Sequence, residues 1–131
     1  MSDEKMIAAL RRLHEAFNRR DFEAVVQLVH PDFELVRAGG QSSIKGVVAL
    51  REWMEPDVFE EQRFEPLDFR VKGDKVLVRV HLTGRGAGSG IEIDVVTYAV
   101  YTLDDHGLVK EAQAFYPHEE AEALEAAGLS E

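Results

Sequence analysis

The sequence predicts an α+β domain in which helices come first and strands follow. Apolar residues recur at helical spacing through the first third of the chain, and from about Phe64 onward they alternate with polar residues. A period near 3.6 is typical of an amphipathic helix, and a period of two is typical of a strand with one buried face. Helices grouped before strands favour an antiparallel sheet. The 131 residues fit one domain spanning residues 1–131, because no repeat or linker divides them.

Three helices are predicted before residue 60. The first covers about residues 3–18, with an apolar stripe of Met6, Ile7, Leu10, Leu13 and Phe17, and Ser2 or Asp3 can cap its start. Asp21 can cap a second helix that Pro31 ends. A short strand over residues 33–37 and a loop over 38–43 follow. The third helix is predicted from Gly46 to about Phe59, with a kink or break at Pro56.

Four strands and a short helix account for the rest of the chain. The strands are predicted at residues 64–72, 75–83, 91–103 and 108–116. Turns at Gly73-Asp74 and at residues 104–107 join two of the pairs. The glycine-rich residues 84–90 are predicted to be a connection, because a dinucleotide site would need a helix directly after the glycines. The last helix begins at Pro117 or His118 and ends at Gly128.

The strands present two different faces. One face is nearly all apolar and is predicted to pack against the helices; it carries Val76, Val78, Val80, Leu82, Ile93, Val95, Thr97, Ala99, Tyr101, Ala112, Ala114 and Tyr116. The other mixes charges with aromatic rings, which is typical of a wet interface between two proteins. It predicts a homodimer through Arg79, His81, Asp94, Tyr98, Gln113 and Phe115.

Charge and composition exclude several classes of partner. The formal charge of −10 disfavours nucleic acid and acidic membrane surfaces. No window approaches the length of a membrane span and no export signal is visible, so a cytoplasmic location is expected. The chain has no cysteine, and its five histidines lack the spacing of a metal cluster, so neither a metal nor another cofactor is expected.

Several short segments, taken in order, resemble the SnoaL-like branch of the nuclear transport factor 2-like superfamily. They are Asn18 to Asp21 at a helix junction, His30-Pro31-Asp32, Gly46, the run from Gly107 to Lys110, and the closing residues 123–129. The resemblance covers essentially the whole chain. It implies a cone in which a curved antiparallel sheet wraps the helices, with a pocket on the concave side and often a homodimer on the convex side.

The catalytic residues of known members are not carried over to this chain. Resemblance to ketosteroid isomerase implies a base at Arg37, a tyrosine at Leu13 and an acid at Ala99, whereas cyclases and limonene-epoxide-hydrolase-like members imply an aspartate at Ala114. None of these positions holds the required residue.

The predicted pocket is apolar and carries one permanent charge. Its ligand-binding residues are predicted to be Leu13, Phe17, Phe33, Leu35, Arg37, Trp53, Val80, Thr97, Tyr101 and Tyr116. Arg37 alternates in phase with Phe33 and Leu35, so its guanidinium is expected either to bind an acidic or carbonyl group of a ligand, or to pair with a local carboxylate or reach the cone mouth.

Two functional hypotheses follow from this pocket. In the first, the chain binds a small apolar or weakly acidic organic molecule, with any catalysis being proton transfer or hydration–dehydration by Arg37, Tyr101 or Tyr116. In the second, the chain is a non-catalytic binder or dimeric scaffold whose pocket is filled by Phe17, Trp53 and Tyr116. The missing family carboxylates favour the second hypothesis, and an open cavity with converging polar groups would favour the first.

Overall fold

The computed structural model describes residues 2–40, 42–54, 59–86 and 90–129, and of residues 59–61 and 86 it describes the backbone. Helices and strands follow the predicted α+β order. The elements are α1 (Asp3–Asn18), α2 (Phe22–Leu28), β1 (Val29–Val36), β2 (Ser43–Lys45), α3 (Val47–Met54), β3 (Phe59–Lys72), β4 (Lys75–Gly86), β5 (Glu92–Leu103), β6 (Val109–Phe115) and α4 (Glu120–Ala126).

Side-chain caps hold the starts of the first two helices. The Ser2 hydroxyl accepts a hydrogen bond from the Lys5 amide at 3.3 Å, and the Asp21 carboxylate accepts one from the Ala24 amide at 3.2 Å. Each cap satisfies an amide that has no partner inside its helix. The predicted bounds of α1 and the caps at Ser2 and Asp21 are therefore confirmed.

The six strands form one curved, unclosed sheet in the order β2-β1-β6-β5-β4-β3. The sheet is mixed rather than purely antiparallel, because β1 pairs parallel with β6. The other pairings are antiparallel. Pairing between β1 and β6 shifts register between Val29 and Glu34, the interval that contains Pro31. Proline has no amide hydrogen to donate to a neighbouring strand, so an irregular pairing there is expected.

Several element boundaries differ from the prediction. The second helix ends at Leu28, and Pro31 lies inside β1 rather than closing a helix. The loop predicted over residues 38–43 is followed by β2, which pairs with β1 as a hairpin. The third helix ends at Met54, and Phe59 already begins β3, so the predicted helical end at Phe59 is wrong. The predicted kink at Pro56 lies outside the described residues.

The main core fills the concave side of the sheet, as the apolar face of the strands predicts. Val76 and Val78 of β4 are fully buried together with Leu10 of α1. Leu50 and Met54 of α3 join the same cluster. The helices bury their apolar stripes against this face because burying apolar surface away from water stabilises the fold.

A second, smaller core lies on the convex side under α4. Ala123 and Ala127 of the C-terminal segment pack against Leu77, Val100 and Phe115 of the sheet. The convex face is therefore partly covered within one chain. Phe115 of the predicted dimer face is only 7% exposed, because it packs with Ala123 and Ala127 in this smaller core. Pairing of two chains through this face stays a prediction.

Candidate functional site

A cavity of about 270 Å³ opens between the concave face of the sheet and the helices. Almost all of its surface is apolar. The residues that border it are Leu13, His14, Phe17, Val25, Leu35, Arg37, Ala38, Leu50, Trp53, Met54, Phe64, Val80, Thr97, Tyr98, Ala99, Tyr101, Ala112, Gln113 and Ala114. An apolar cavity of about 150 Å³ holds one benzene ring, so this space suits a ligand of one to two rings.

A pair of polar side chains, buried His14 and half-buried Tyr101, borders this apolar space. The Tyr101 hydroxyl lies 3.0 Å from Nε2 of His14, and the two rings meet edge to face with centroids 5.8 Å apart. His14 is 5% exposed on α1, and Tyr101 comes from β5. On the other side of the imidazole, Nδ1 lies 3.3 Å from the Phe64 carbonyl oxygen.

These contacts define where the protons of the pair reside. A neutral imidazole has one N–H donor and one acceptor nitrogen. The Phe64 carbonyl can only accept, so Nδ1 carries the hydrogen and Nε2 accepts from the Tyr101 hydroxyl. The Tyr101 oxygen then has lone pairs left to accept a hydrogen bond from a ligand. The pair therefore presents an acceptor to the cavity.

Burial keeps both groups uncharged near neutral pH. Desolvation lowers the pKa of His14, and the hydrogen bond to the Phe64 carbonyl opposes this only in part. Desolvation also raises the pKa of the Tyr101 hydroxyl far above its usual range. A neutral histidine beside a neutral tyrosine can accept a proton without having to displace one first.

A cation stands at the mouth of the cavity. Arg37 follows the last residue of β1, where its amide donates to the Ser42 carbonyl at 3.0 Å and its carbonyl accepts from the Gly40 amide at 2.9 Å. The residue borders the cavity and is also exposed. Among the described residues its side chain has no ion pair with a carboxylate. The guanidinium is therefore available to an anionic group that enters from solvent.

Eight of the ten predicted ligand-binding residues border the cavity. They are Leu13, Phe17, Leu35, Arg37, Trp53, Val80, Thr97 and Tyr101. Trp53 is 40% exposed and packs on Phe17, with ring centroids 6.5 Å apart, so it stands at the rim. Their contact with a ligand stays a prediction.

Phe33 and Tyr116 lie elsewhere. Phe33 is buried in the main core, because its ring packs among the helices before the strand reaches the cavity. Tyr116 is 47% exposed and stacks on His118 at a centroid distance of 5.6 Å. The strand β6 ends at Phe115, so the alternation that was expected to point Tyr116 inward stops one residue too early. Tyr116 therefore does not border the cavity in this structure, and its contact with a ligand stays a prediction.

The positions expected to hold family catalytic residues do border this cavity. Leu13, Arg37, Ala99 and Ala114 all contribute to its surface. None is acidic, and the lining drawn from the described residues contains no carboxylate. The chemistry of this cavity therefore depends on different groups from those implied by the resemblance.

His14 is the functional residue that sequence reasoning missed. It was considered only as a metal ligand, although it lies four residues after Leu10 and three before Phe17, on the apolar stripe of α1. A polar residue on a buried stripe needs a partner, and that signal could have identified it. Its partners come from β3 and β5, which local spacing does not reveal.

The residues of the predicted dimer face are dispersed into separate contacts. Arg79 binds Asp68 at 2.8 Å, His81 binds Asp94 at 2.7 Å, and the Tyr98 hydroxyl donates to Glu120 of α4 at 3.2 Å. Gln113 is half-buried at the edge of the cavity. The exposed or half-buried residues of the predicted dimer face other than Gln113 therefore lie on β4 and β5.

Within the described part of the chain, no three potential ligand side chains cluster as a metal site would require. In the same part of the chain, no helix has the length and apolar character needed to cross a membrane.

Comparison with known proteins places this geometry in a family. A model of the SnoaL-like domain matches residues 10–112. No curated protein sequence gives a significant match. A solved structure of a proposed polyketide cyclase from Sinorhizobium meliloti is 26% identical in sequence, with a TM-score of 0.68, and the match covers 82% of this chain and 93% of that chain.

Two further solved structures have the same fold at lower identity. A proposed SnoaL-like polyketide cyclase from Jannaschia sp. CCS1 is 21% identical over 100% of this chain and 97% of that chain, with a TM-score of 0.78. SalBIII, described as an epoxide hydrolase/cyclase-like enzyme in pyran ring formation in polyether salinomycin, is 21% identical over 88% of this chain and 93% of that chain, with a TM-score of 0.79.

Proposed function

The chain belongs to the SnoaL-like domain family, and we propose that it binds a small organic acid bearing a hydroxyl group and removes the proton of that hydroxyl through Tyr101 and His14. The observation that carries the proposal is the Tyr101–His14 hydrogen bond, a partly buried polar pair at the surface of an apolar cavity. A few convergent polar groups in an otherwise apolar pocket are typical of small-molecule sites.

The direction of the hydrogen bonds selects a hydroxyl over a carbonyl. The Tyr101 hydroxyl donates to His14, so its oxygen is left as an acceptor. A ligand O–H can donate to that oxygen, whereas a ligand carbonyl would meet a second acceptor. Leaving a buried acceptor unpaired costs about 1–3 kcal/mol, which is enough to discriminate between the two ligands.

The position of Arg37 favours a ligand that carries an acidic group. Across the sheet, Leu35 pairs with Ala112 and Ala112 with Tyr101, so Arg37 lies two residues along and two strands across from Tyr101. Standard strand dimensions place the two backbone positions roughly 12 Å apart. The long arginine side chain shortens this span, so a two-ring molecule with groups at opposite ends can reach both residues.

The proton transfer that we propose is a relay over two hydrogen bonds. The ligand hydroxyl gives its proton to the Tyr101 oxygen while the Tyr101 proton moves to Nε2 of His14. The resulting imidazolium keeps its hydrogen bond to the Phe64 carbonyl. The ligand oxygen becomes a nucleophile that can attack an epoxide carbon in the same molecule. The epoxide C–O bond breaks as the new C–O bond forms, and the released alkoxide takes the proton back from His14 through Tyr101. Likeness to a proposed polyketide cyclase supports ring closure of this kind.

Calorimetric titration with three related naphthalenes tests the ligand class. One carries a carboxylate and a hydroxyl at opposite ends, one the carboxylate alone, and one the hydroxyl alone. The first is expected to bind about tenfold more tightly than either of the others, because each end adds one hydrogen-bonded anchor. Equal affinity for all three would show that the cavity selects only for apolar area.

A non-catalytic binder is the second candidate function. The absence of a carboxylate at Ala99 and Ala114 favours it, since a histidine whose pKa is lowered is a weak base. Binding of the hydroxy acid, without conversion of a hydroxy-epoxide substrate that can cyclise, would support this second function.

We also propose that the free convex surface of β3 to β5 pairs two copies of the chain. The Arg79–Asp68 ion pair and the His81–Asp94 hydrogen bond lie side by side there, and such polar groups can exchange partners across a two-fold axis. A mass of twice 14.7 kDa in light scattering is the expected result, and the mass of a single chain would contradict it.

A further inference from the structure

Asn18 makes a two-pronged contact with the backbone of Phe64. Its side-chain nitrogen donates to the Phe64 carbonyl at 2.9 Å, and its side-chain oxygen accepts from the Phe64 amide at 2.8 Å. Asn18 is the last residue of α1, and Phe64 lies in β3, the edge strand of the sheet. The contact therefore ties the end of the helix that carries His14 to one point of the edge strand.

The same carbonyl oxygen is the partner of His14. It receives the Asn18 side-chain nitrogen and His14 Nδ1, which approach it from the same helix one turn apart. A carbonyl oxygen has two lone pairs and can accept both hydrogen bonds. Asn18 binds the C=O of Phe64 and also its N–H, which belongs to the preceding peptide group. Because the backbone is held on both sides of the Phe64 Cα, its carbonyl stays directed toward the imidazole.

The Phe64 ring also contributes to the cavity. It meets Phe17 edge to face with ring centroids 5.0 Å apart, and it borders the cavity beside His14. The backbone that Asn18 holds is therefore part of the site itself. A hydrogen bond that served only to cover the free edge of β3 could have been made anywhere along the strand.

We propose that Asn18 is a positioning residue that sets the tautomer of His14 and, through it, the sense of the Tyr101 hydrogen bond. With the Phe64 carbonyl held in place, Nδ1 keeps the hydrogen and Nε2 accepts from Tyr101. Without Asn18 the imidazole can carry its hydrogen on Nε2 and donate to Tyr101, whose hydroxyl would then donate into the cavity. The protein would then prefer a ligand carbonyl to a ligand hydroxyl, the opposite of the preference in the proposed function on which this inference rests.

Nitrogen-15 NMR of the histidine rings tests this proposal without any ligand or activity. The protonated and unprotonated ring nitrogens of a neutral histidine have well separated shifts, and the His14 signals are assigned by their loss in His14→Gln. We expect the Nδ1–H tautomer in the wild-type protein above neutral pH. Finding the Nε2–H tautomer there would overturn the proposal before any variant is made.

The Asn18→Ala variant measures the contribution of the contact. The ratio of the two tautomers is expected to shift by about tenfold toward Nε2–H, the scale of one hydrogen bond. Asn18→Ser is expected to shift it less, because a hydroxyl can still bind one of the two Phe64 groups, and it serves where the alanine variant does not fold. An unchanged ratio in a folded Asn18 variant would show that the residue only covers the strand edge.

Asp21→Ala is the matched control. It removes a side-chain cap at the same helix junction, three residues from Asn18, without contact to Phe64. It is expected to lower stability by about 1 kcal/mol and to leave the His14 tautomer unchanged. A shift in this control equal to that of Asn18→Ala would also contradict the proposal. Failure of the naphthalene series with the expected tautomer intact would instead count against the proposed function alone.

Discussion

The two faces of the sheet each carry a histidine with a polar partner, and the two pairs differ in almost every physical respect. On the concave face, His14 is 5% exposed and its two ring nitrogens face a tyrosine hydroxyl and a backbone carbonyl. On the convex face, the His81 side chain is 36% exposed and faces Asp94, which is 76% exposed. Water screens the second pair, whereas burial of His14 reduces that screening for the first.

The comparison shows that the contribution of a polar contact to the stability of this protein depends on how deeply the contact is buried. Exposed ion pairs typically contribute about 0–1 kcal/mol, because water competes for both charges. A buried donor or acceptor that loses its partner costs about 1–3 kcal/mol. The concave pair is thus the more sensitive site, both for stability and for ligand recognition.

Removing one hydroxyl from each face gives the largest expected contrast. Tyr101→Phe leaves Nε2 of His14 buried without a donor and is expected to lower the free energy of unfolding by about 1–3 kcal/mol. Its matched control, Tyr98→Phe, removes an exposed hydrogen bond to Glu120 and should change it by less than about 0.5 kcal/mol. Denaturant titration measures both, and equal losses would contradict the contrast.

The pH dependence of stability gives a second test of the buried histidine on the concave face. The unfolded chain protonates His14 near its ordinary pKa of 6.5, whereas the folded protein binds that proton only at lower pH. Between the two pKa values the unfolded state holds more protons, so stability falls as pH drops below about 6.5, by up to about 1.4 kcal/mol per pH unit. The His14→Gln variant should lose this component, and identical pH profiles of unfolding for variant and wild type would refute it.

The arginines of the two faces give a third test, on binding rather than stability. Arg37→Met should weaken binding of the two-ended naphthalene about tenfold or more, since one charged hydrogen-bond anchor is lost while an apolar stem remains. Arg79→Met is the matched control, because it breaks the Arg79–Asp68 pair on the convex face. Calorimetry should find that Arg79→Met binds the two-ended naphthalene as tightly as the wild type does. Equal weakening in both variants would show that Arg37 does not bind the carboxylate of the ligand directly.

A small change in folding energy is also expected at His81. The His81→Asp variant places a second carboxylate beside Asp94 and should lower the stability of a single chain by less than about 1 kcal/mol. If two copies pair through this surface, light scattering should show the mass falling toward that of one chain. Unchanged dimers would exclude this surface as the interface.

Local pattern was sufficient for much of the fold and for part of the site. The stripe from Met6 to Phe17 predicts α1, and the alternation of Val76, Val78 and Val80 predicts which side of β4 is buried. Arg37 was placed at the cavity because alternation relates it to Leu35. Alternation did not place Tyr116 correctly, because β6 ends one residue before it and strand ends depend on pairing partners that local pattern does not contain.

The sequence by itself determined which residues are apolar, where the chain turns and how each face alternates, because these follow from the chemistry of neighbouring residues. Only the tertiary structure decided that β1 lies parallel to β6, that α4 covers Phe115, and that His14 meets both Tyr101 and Phe64. The two contacts of His14 join it to residues that are 50 and 87 positions away in the chain. Their formation depends on the whole sheet curving around α1, which no short stretch of sequence encodes.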